Sequence, residues 1–162
     1  VLVVADTGPP HYLLLIDAID LLPRLFGAVT LPMPVLAELC HPAAPPAVRA
    51  WAAVPPPWVA VVAASDLPEA ARLRLGPGEA AAIALAQAQG ATLLLMDDRA
   101  GVAAARARGL AVVGTLGLLD FAARRGLLDL AAALARLQAT NFRVRPEVVE
   151  ALLAQHRTGQ AG

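Results

Sequence analysis

Residues 76–100, GPGEAAAIALAQAQGATLLLMDDRA, read as a turn, a helix and a buried strand that ends on two carboxylates. Leu75-Gly76-Pro77-Gly78 is a turn that starts an Ala-rich helix over residues 79–89. Gly90 ends the helix, as glycine does where the backbone turns left-handed past the last turn. Residues 93–96 then form a short, wholly apolar run, the pattern of a strand covered on both faces. Asp97 and Asp98 follow at once.

Working outward, the same alternation runs along the chain. Residues 1–5 form a β-branched apolar run that delivers Asp6, and residues 11–22 follow with Leu13, Ile16, Ile19 and Leu22 at helical spacing. Further strands are predicted over 28–31, 59–62 and 110–113. Helices are predicted over 35–40, 47–53, 99–108, 116–125, 129–138 and 146–155. Strands separated by helices imply parallel pairing through right-handed crossovers, hence an α/β fold with a central sheet of about five strands. A single domain is expected over residues 1–157, with a frayed tail at 158–162.

Composition removes several function classes. All 13 basic residues are arginine, so a P-loop and Schiff-base chemistry are excluded, because both require lysine. Net charge is zero and the pI is near 7.0, which argues against strong nonspecific nucleic-acid binding and confines any such contact to a local patch. Hydrophobic residues reach 58%, yet the most apolar stretch, 80–96, contains Gln87, Gln89, Gly90 and Thr92 and is bounded by acids, so it reads as a buried helix and strand and not as a membrane span. No signal-peptide pattern opens the chain, and a cytoplasmic location is expected. Cys40 is the lone cysteine and is expected to be a small buried hydrophobe.

The acids then acquire meaning from the fold. In an open parallel sheet the ligand crevice lies beyond the carboxyl ends of the strands, where strand order reverses. Asp6, Asp97 and Asp98 all follow strands directly, Glu79 opens the helix that leads into one of them, and Glu38 lies one helix beyond the second strand. Oxygen donors of this kind suit a hard divalent cation. Each also has a plainer role: Asp98 equally caps the next helix, Glu79 sits where a helix dipole favours negative charge, and Glu38 is ordinary surface. His11, His41 and His156 share no metal-ligand spacing. Trp51 and Trp58 flank a proline turn and are expected to pack. The metal reading therefore rests on the set.

Five segments stand out in order: Val3-Val4-Ala5-Asp6-Thr7-Gly8-Pro9; Leu31-Pro32 with Glu38; Gly76-Pro77-Gly78-Glu79-Ala80-Ala81-Ala82-Ile83-Ala84; Leu94-Leu95-Met96-Asp97-Asp98-Arg99; and Val113-Gly114-Thr115-Leu116-Gly117. Together they resemble the PIN-domain nucleases, nearest to the prokaryotic branch of VapC-type toxins. The ending Thr140-Asn141-Phe142-Arg143 is similar as well. The resemblance implies a three-layer α/β/α sandwich and Mg²⁺- or Mn²⁺-dependent cleavage of RNA. By the same resemblance Asp6, Glu38, Glu79 and Asp98 take the acidic places with Asp97 beside them, and Thr7, Gly8 and Thr115 surround the metal. The chain departs from the family pattern at Pro10-His11-Tyr12, beside the first acid, and at Ala100-Gly101-Val102.

The expected site therefore has Asp6 and Asp98 as the most direct metal ligands, with Asp97 beside them. Glu38 and Glu79 complete the shell or orient the attacking water, and Arg99 is a candidate phosphate contact with a surface ion pair as its alternative. A phosphoaspartate receiver or a haloacid-dehalogenase phosphatase is excluded by the missing lysine and by Gly8, where the phosphatase needs a second Asp. A small-molecule binder of the doubly wound class is disfavoured, because no G-x-G-x-x-G turn follows the first strand and Gly76-Pro77-Gly78 precedes a helix without a strand before it. A noncatalytic PIN-fold binding module stays as the alternative. Expected partners are an RNA substrate, a second copy of the chain, since the apolar surplus suggests a covered face, and, by resemblance, a small antitoxin protein.

Overall fold

The computed structural model describes residues 1–161. Five strands, β1 (Val3–Ala5), β2 (Val29–Pro32), β3 (Val59–Val62), β4 (Leu93–Leu95) and β5 (Val112–Val113), form one parallel sheet in the order β3-β2-β1-β4-β5. The chain lays β2 and β3 on one side of β1, then returns across it to place β4 and β5 on the other. Strand order thus reverses between β1 and β4, whose register pairs Val3 with Leu93, Val4 with Leu94 and Ala5 with Leu95. The Asp6 amide extends this ladder by donating to the Leu95 carbonyl at 2.8 Å.

Side chains alternate across the sheet with the period of two that a strand imposes. Val3, Ala5, Leu31 and Leu95 enter one core, shared with α1 (Gly8–Leu15), α2 (Leu21–Phe26), α3 (Met33–Leu39), α4 (Pro46–Ala53), α7 (Thr115–Arg124) and α8 (Leu130–Gln138). Val4, Leu94 and Met96 enter a second core on the opposite face, closed by Ile83 and Leu85 of α5 (Pro77–Gln89) and by Ala104 and Ala105 of α6 (Arg99–Ala107). A last helix, α9 (Pro146–Ala161), packs against α7 and α8. The result is an α/β/α sandwich around five parallel strands, as the alternation of elements predicts. No helix among the described residues is long and apolar enough to cross a membrane.

Three local expectations differ from the structure. The helix expected over 11–22 starts earlier, at Gly8, and is broken into α1 and α2 by Asp17, which adopts a left-handed φ of 58°. Leu13, Ile16 and Leu22 are buried all the same, so the apolar spacing persists across the break. Cys40 is exposed, because it is the residue after α3, and Leu39 occupies the buried place. Residues 158–161, expected to fray, continue α9; Gly162 lies outside the described residues.

Candidate active site

Asp6 leaves β1 at the reversal of strand order and is 5% exposed, one of three buried polar or charged side chains among the described residues. Its neighbour Thr7, the residue before α1, makes no side-chain cap on that helix and donates its hydroxyl to Glu38 Oε2 instead. Glu38, in the last turn of α3, also accepts from the Gly78 amide through Oε1 at 3.1 Å. A Cβ on Gly78 would stand 2.7 Å from both Glu38 oxygens, so the first turn of α5 approaches this closely only because residue 78 has no side chain. Glu38, whose plainer reading was open surface, is therefore held by two segments distant in sequence.

Asp97 follows Met96 at the end of the β4 side of the crevice. Buried Thr115, at the start of α7, grips it twice: its amide donates to Oδ1 at 2.7 Å and its hydroxyl to Oδ2 at 2.6 Å. Two glycines give it room, since a Cβ on Gly114 would lie 2.7 Å from Oδ1 and one on Gly8 2.9 Å from Oδ2. Asp98 is exposed and caps α6, with Oδ2 accepting from the Gly101 amide at 2.9 Å. Glu79 closes a capping box on α5, with Oε2 accepting from the Gly76 amide at 2.9 Å. The two helix-cap roles that compete with metal binding are thus both filled, each through one carboxylate oxygen.

The electrostatics tie the five acids together. Burial pushes the Asp6 carboxyl up to about 7; a hydrogen bond from the Thr7 backbone opposes this, and the charges of Glu79, Glu38 and Asp97 add to it. Burial also raises Glu79, against the pull of the Gly76 amide and with the help of Asp98 and Glu38. Asp97 is raised by burial, and the two Thr115 hydrogen bonds oppose the rise. Asp6 Oδ1 is buried without any hydrogen-bond partner, an arrangement that costs free energy unless something binds there.

No three acidic, histidine or cysteine side chains among the described residues form a ready-made metal cage. The donor set nonetheless fits a hard cation: all oxygen, mutually repelling, with one buried oxygen unpartnered. Mg²⁺ in particular keeps several waters and asks for only one or two direct carboxylates.

Two cavities flank the acids. One, of about 670 Å³, is lined by Asp97 and Asp98 together with Tyr12, Arg106, Asn141 and Arg143. The other, of about 730 Å³, is lined by Glu38 with His11, His41, Thr140 and Asn141. Arg106 and Arg143 bring the cations that a phosphate-binding cleft needs. The sequence marks Arg143 only as the end of the family-like stretch 140–143 and gives neither arginine as a phosphate contact, because nothing in the spacing of residues 106 and 143 shows that α6 and the chain before α9 meet at one cavity. Arg99, the expected phosphate contact, is exposed at the first position of α6.

Carboxylates gathered where a parallel sheet reverses its strand order, within an α/β/α sandwich, define a class of proteins with an acidic crevice at the sheet edge. A family model described as PIN domain matches residues 2–158, and the chain belongs to the PIN-domain family. PIN domains are generally nucleases, typically with divalent metals. No curated protein and no solved structure gives a match.

Proposed function

We propose that this protein is a Mg²⁺- or Mn²⁺-dependent endoribonuclease, acting in the cytoplasm as the toxin component of a toxin–antitoxin pair. The observation that carries the reading is Asp6: a buried acid at the strand-order reversal, one oxygen without a partner, raised by burial and by three neighbouring carboxylates. Asp6, Asp97, Asp98 and Glu79 would hold the cation. A divalent ion, when bound, offsets charge on the phosphoryl and leaving oxygens and acidifies a water.

The chain's own groups have separable tasks. Thr115 and Thr7 orient Asp97 and Glu38, and Gly8 leaves Asp97 its space. Glu79, with only Oε2 occupied by Gly76, keeps Oε1 to align the attacking water. Arg143 and Arg106, on the rim of the cavity that Asp97 and Asp98 line, hold the strand through its phosphates, with Arg99 beside Asp98. A homodimer is supported by the exposed apolar side chains of Phe121 on α7 and Val148 on the adjoining α9. The carboxylates gathered around Asp6 suit closure of the cleft by a basic group of a small antitoxin.

A second reading, a noncatalytic PIN-fold binding module, draws on the protein donors already bound to Glu38, Glu79, Asp97 and Asp98. The unpartnered Asp6 oxygen favours the nuclease. Incubation of labelled RNA with purified protein decides between them. Cleavage should require Mn²⁺ or Mg²⁺, stop with chelator, and fall by at least about 10²-fold in Asp6→Asn, the scale of losing one charge-stabilising group. An intact RNA with the wild-type protein under every divalent ion would leave the binding module.

A further inference from the structure

The second cavity lies against the acids yet has a different character. Glu38 lines it and is joined to Thr7, the residue after Asp6, and Asn141 borders both this cavity and the one that Asp97 and Asp98 line. Its walls combine Leu15, Ala44 and Pro45 with His11, one of the residues at which this chain departs from the family pattern. The rings of His11, Tyr12 and Phe142 follow one another edge to face, at 4.7 and 4.9 Å between centroids, which fixes the imidazole plane.

Two of its polar side chains, His41 and Asn141, have hydrogens free to donate. His41 Nδ1 accepts from the Ala43 amide at 3.0 Å, so the ring proton resides on Nε2. Asn141 Oδ1 accepts the Tyr12 hydroxyl at 3.0 Å, which leaves the Asn141 amide N–H groups to bind. Thr140 has no donor to spare: its hydroxyl donates to Leu137 O at 2.6 Å and accepts from the Phe142 amide at 3.1 Å. A phosphate would suit donors too, but Glu38 repels it, and burial lowers the His11 pKa and keeps that ring uncharged. A flat, neutral group with hydrogen-bond acceptors meets all of these terms.

We infer that this cavity is a specificity subsite for the nucleobase next to the scissile phosphate, read by donors from His41 and Asn141 and stacked beside His11. The inference rests on the ribonuclease reading. With both Glu38 oxygens already accepting from Thr7 and Gly78, the His41 and Asn141 donors set the preference, which is for bases that present adjacent acceptors, the O6/N7 edge of guanine or the O2/N3 edge of cytosine, over adenine, whose N6 donor would face a donor.

The test measures kcat and KM of the wild type, His41→Ala, His41→Gln and Asn141→Ala on short RNAs that differ at one position beside a single cleavage site, with Mn²⁺ present. Wild-type kcat/KM should favour guanine or cytosine over adenine by about tenfold, the usual scale of one good base contact. His41→Ala and Asn141→Ala should flatten this preference, mainly through KM, and His41→Gln, which restores an N–H, should recover part of it. Binding of the same RNAs to an Asp6→Asn background, read by fluorescence anisotropy, should show the same ranking without cleavage. Cleavage with no base preference, or with a preference unchanged in both alanine variants, overturns the subsite and leaves the nuclease standing. No cleavage of any RNA by the wild type overturns both.

Discussion

Asp6 gives the metal-free protein a pH dependence whose sign is set by its environment. A carboxyl of ordinary pKa near 3.9 in the unfolded chain is held at about 7 in the fold, so the folded state binds the proton more tightly. The stability this confers is complete below the unfolded pKa and is lost as pH rises through about 7. The loss is on the order of 4 kcal/mol, a large share of the 5–15 kcal/mol of a typical domain. Glu79 and Asp97 are raised as well and act in the same direction. In chelator, melting temperature should therefore fall between pH 5 and pH 8, and Mn²⁺ should restore it. Asp6→Asn should melt higher than wild type at pH 8 and show a shallower slope. A melting curve indifferent to pH would mean that Asp6 is not the strained group described above. The position of Asp6 at the carboxyl end of β1 is legible in the sequence, because an acid directly after a buried strand has only the end of the sheet to occupy. The sequence could not show that Asp97 is seated more deeply than Asp98, since that follows from Thr115, whose meeting with Asp97 depends on tertiary packing.

The elements explain how separate segments hold one geometry. Thr115 begins α7, so its clamp on Asp97 depends on the junction between β5 and α7 and on the room left by Gly114. Thr115→Val keeps the shape and removes the hydroxyl. It should cost about 1–3 kcal/mol in stability and weaken Mn²⁺ binding by about 10–100-fold, as loss of a supporting group around a metal does. Calorimetric titration of metal into the variant checks both the loss and its size. The break between α1 and α2 was hidden from sequence for a physical reason: Leu13, Ile16 and Leu22 face the core on both sides of Asp17, so a turn that preserves the apolar face leaves the period unchanged. Strand positions were legible because short apolar runs bounded by breakers have few alternatives. The glycine cradles were not, since Gly78 and Gly114 have their meaning only through Glu38 and Asp97, which lie 40 and 17 positions away.

For the molecule as a whole, a net charge of zero means that RNA is attracted only where cations are gathered. Arg106 and Arg143, from opposite ends of the α6 to α9 region, share one cavity with Asp97 and Asp98. Replacing either by alanine should weaken binding about equally for all RNA sequences and lower the salt dependence by about one ion-release step, the mark of a phosphate contact. Anisotropy titrations over a range of KCl concentrations distinguish this from a base contact, which would change sequence preference instead. The order of the strands has one further result. Asp6 is held by β1, but Glu38, Glu79, Asp97 and the Thr115 that clamps Asp97 come later, and β1 gains its β4 neighbour only after residue 95. Synthesis from the amino end therefore leaves the nascent chain without its full carboxylate set until Asp98, and without the clamp on Asp97 until Thr115, has cleared the ribosome, so the emerging polypeptide cannot assemble the crevice while it is still short of that length.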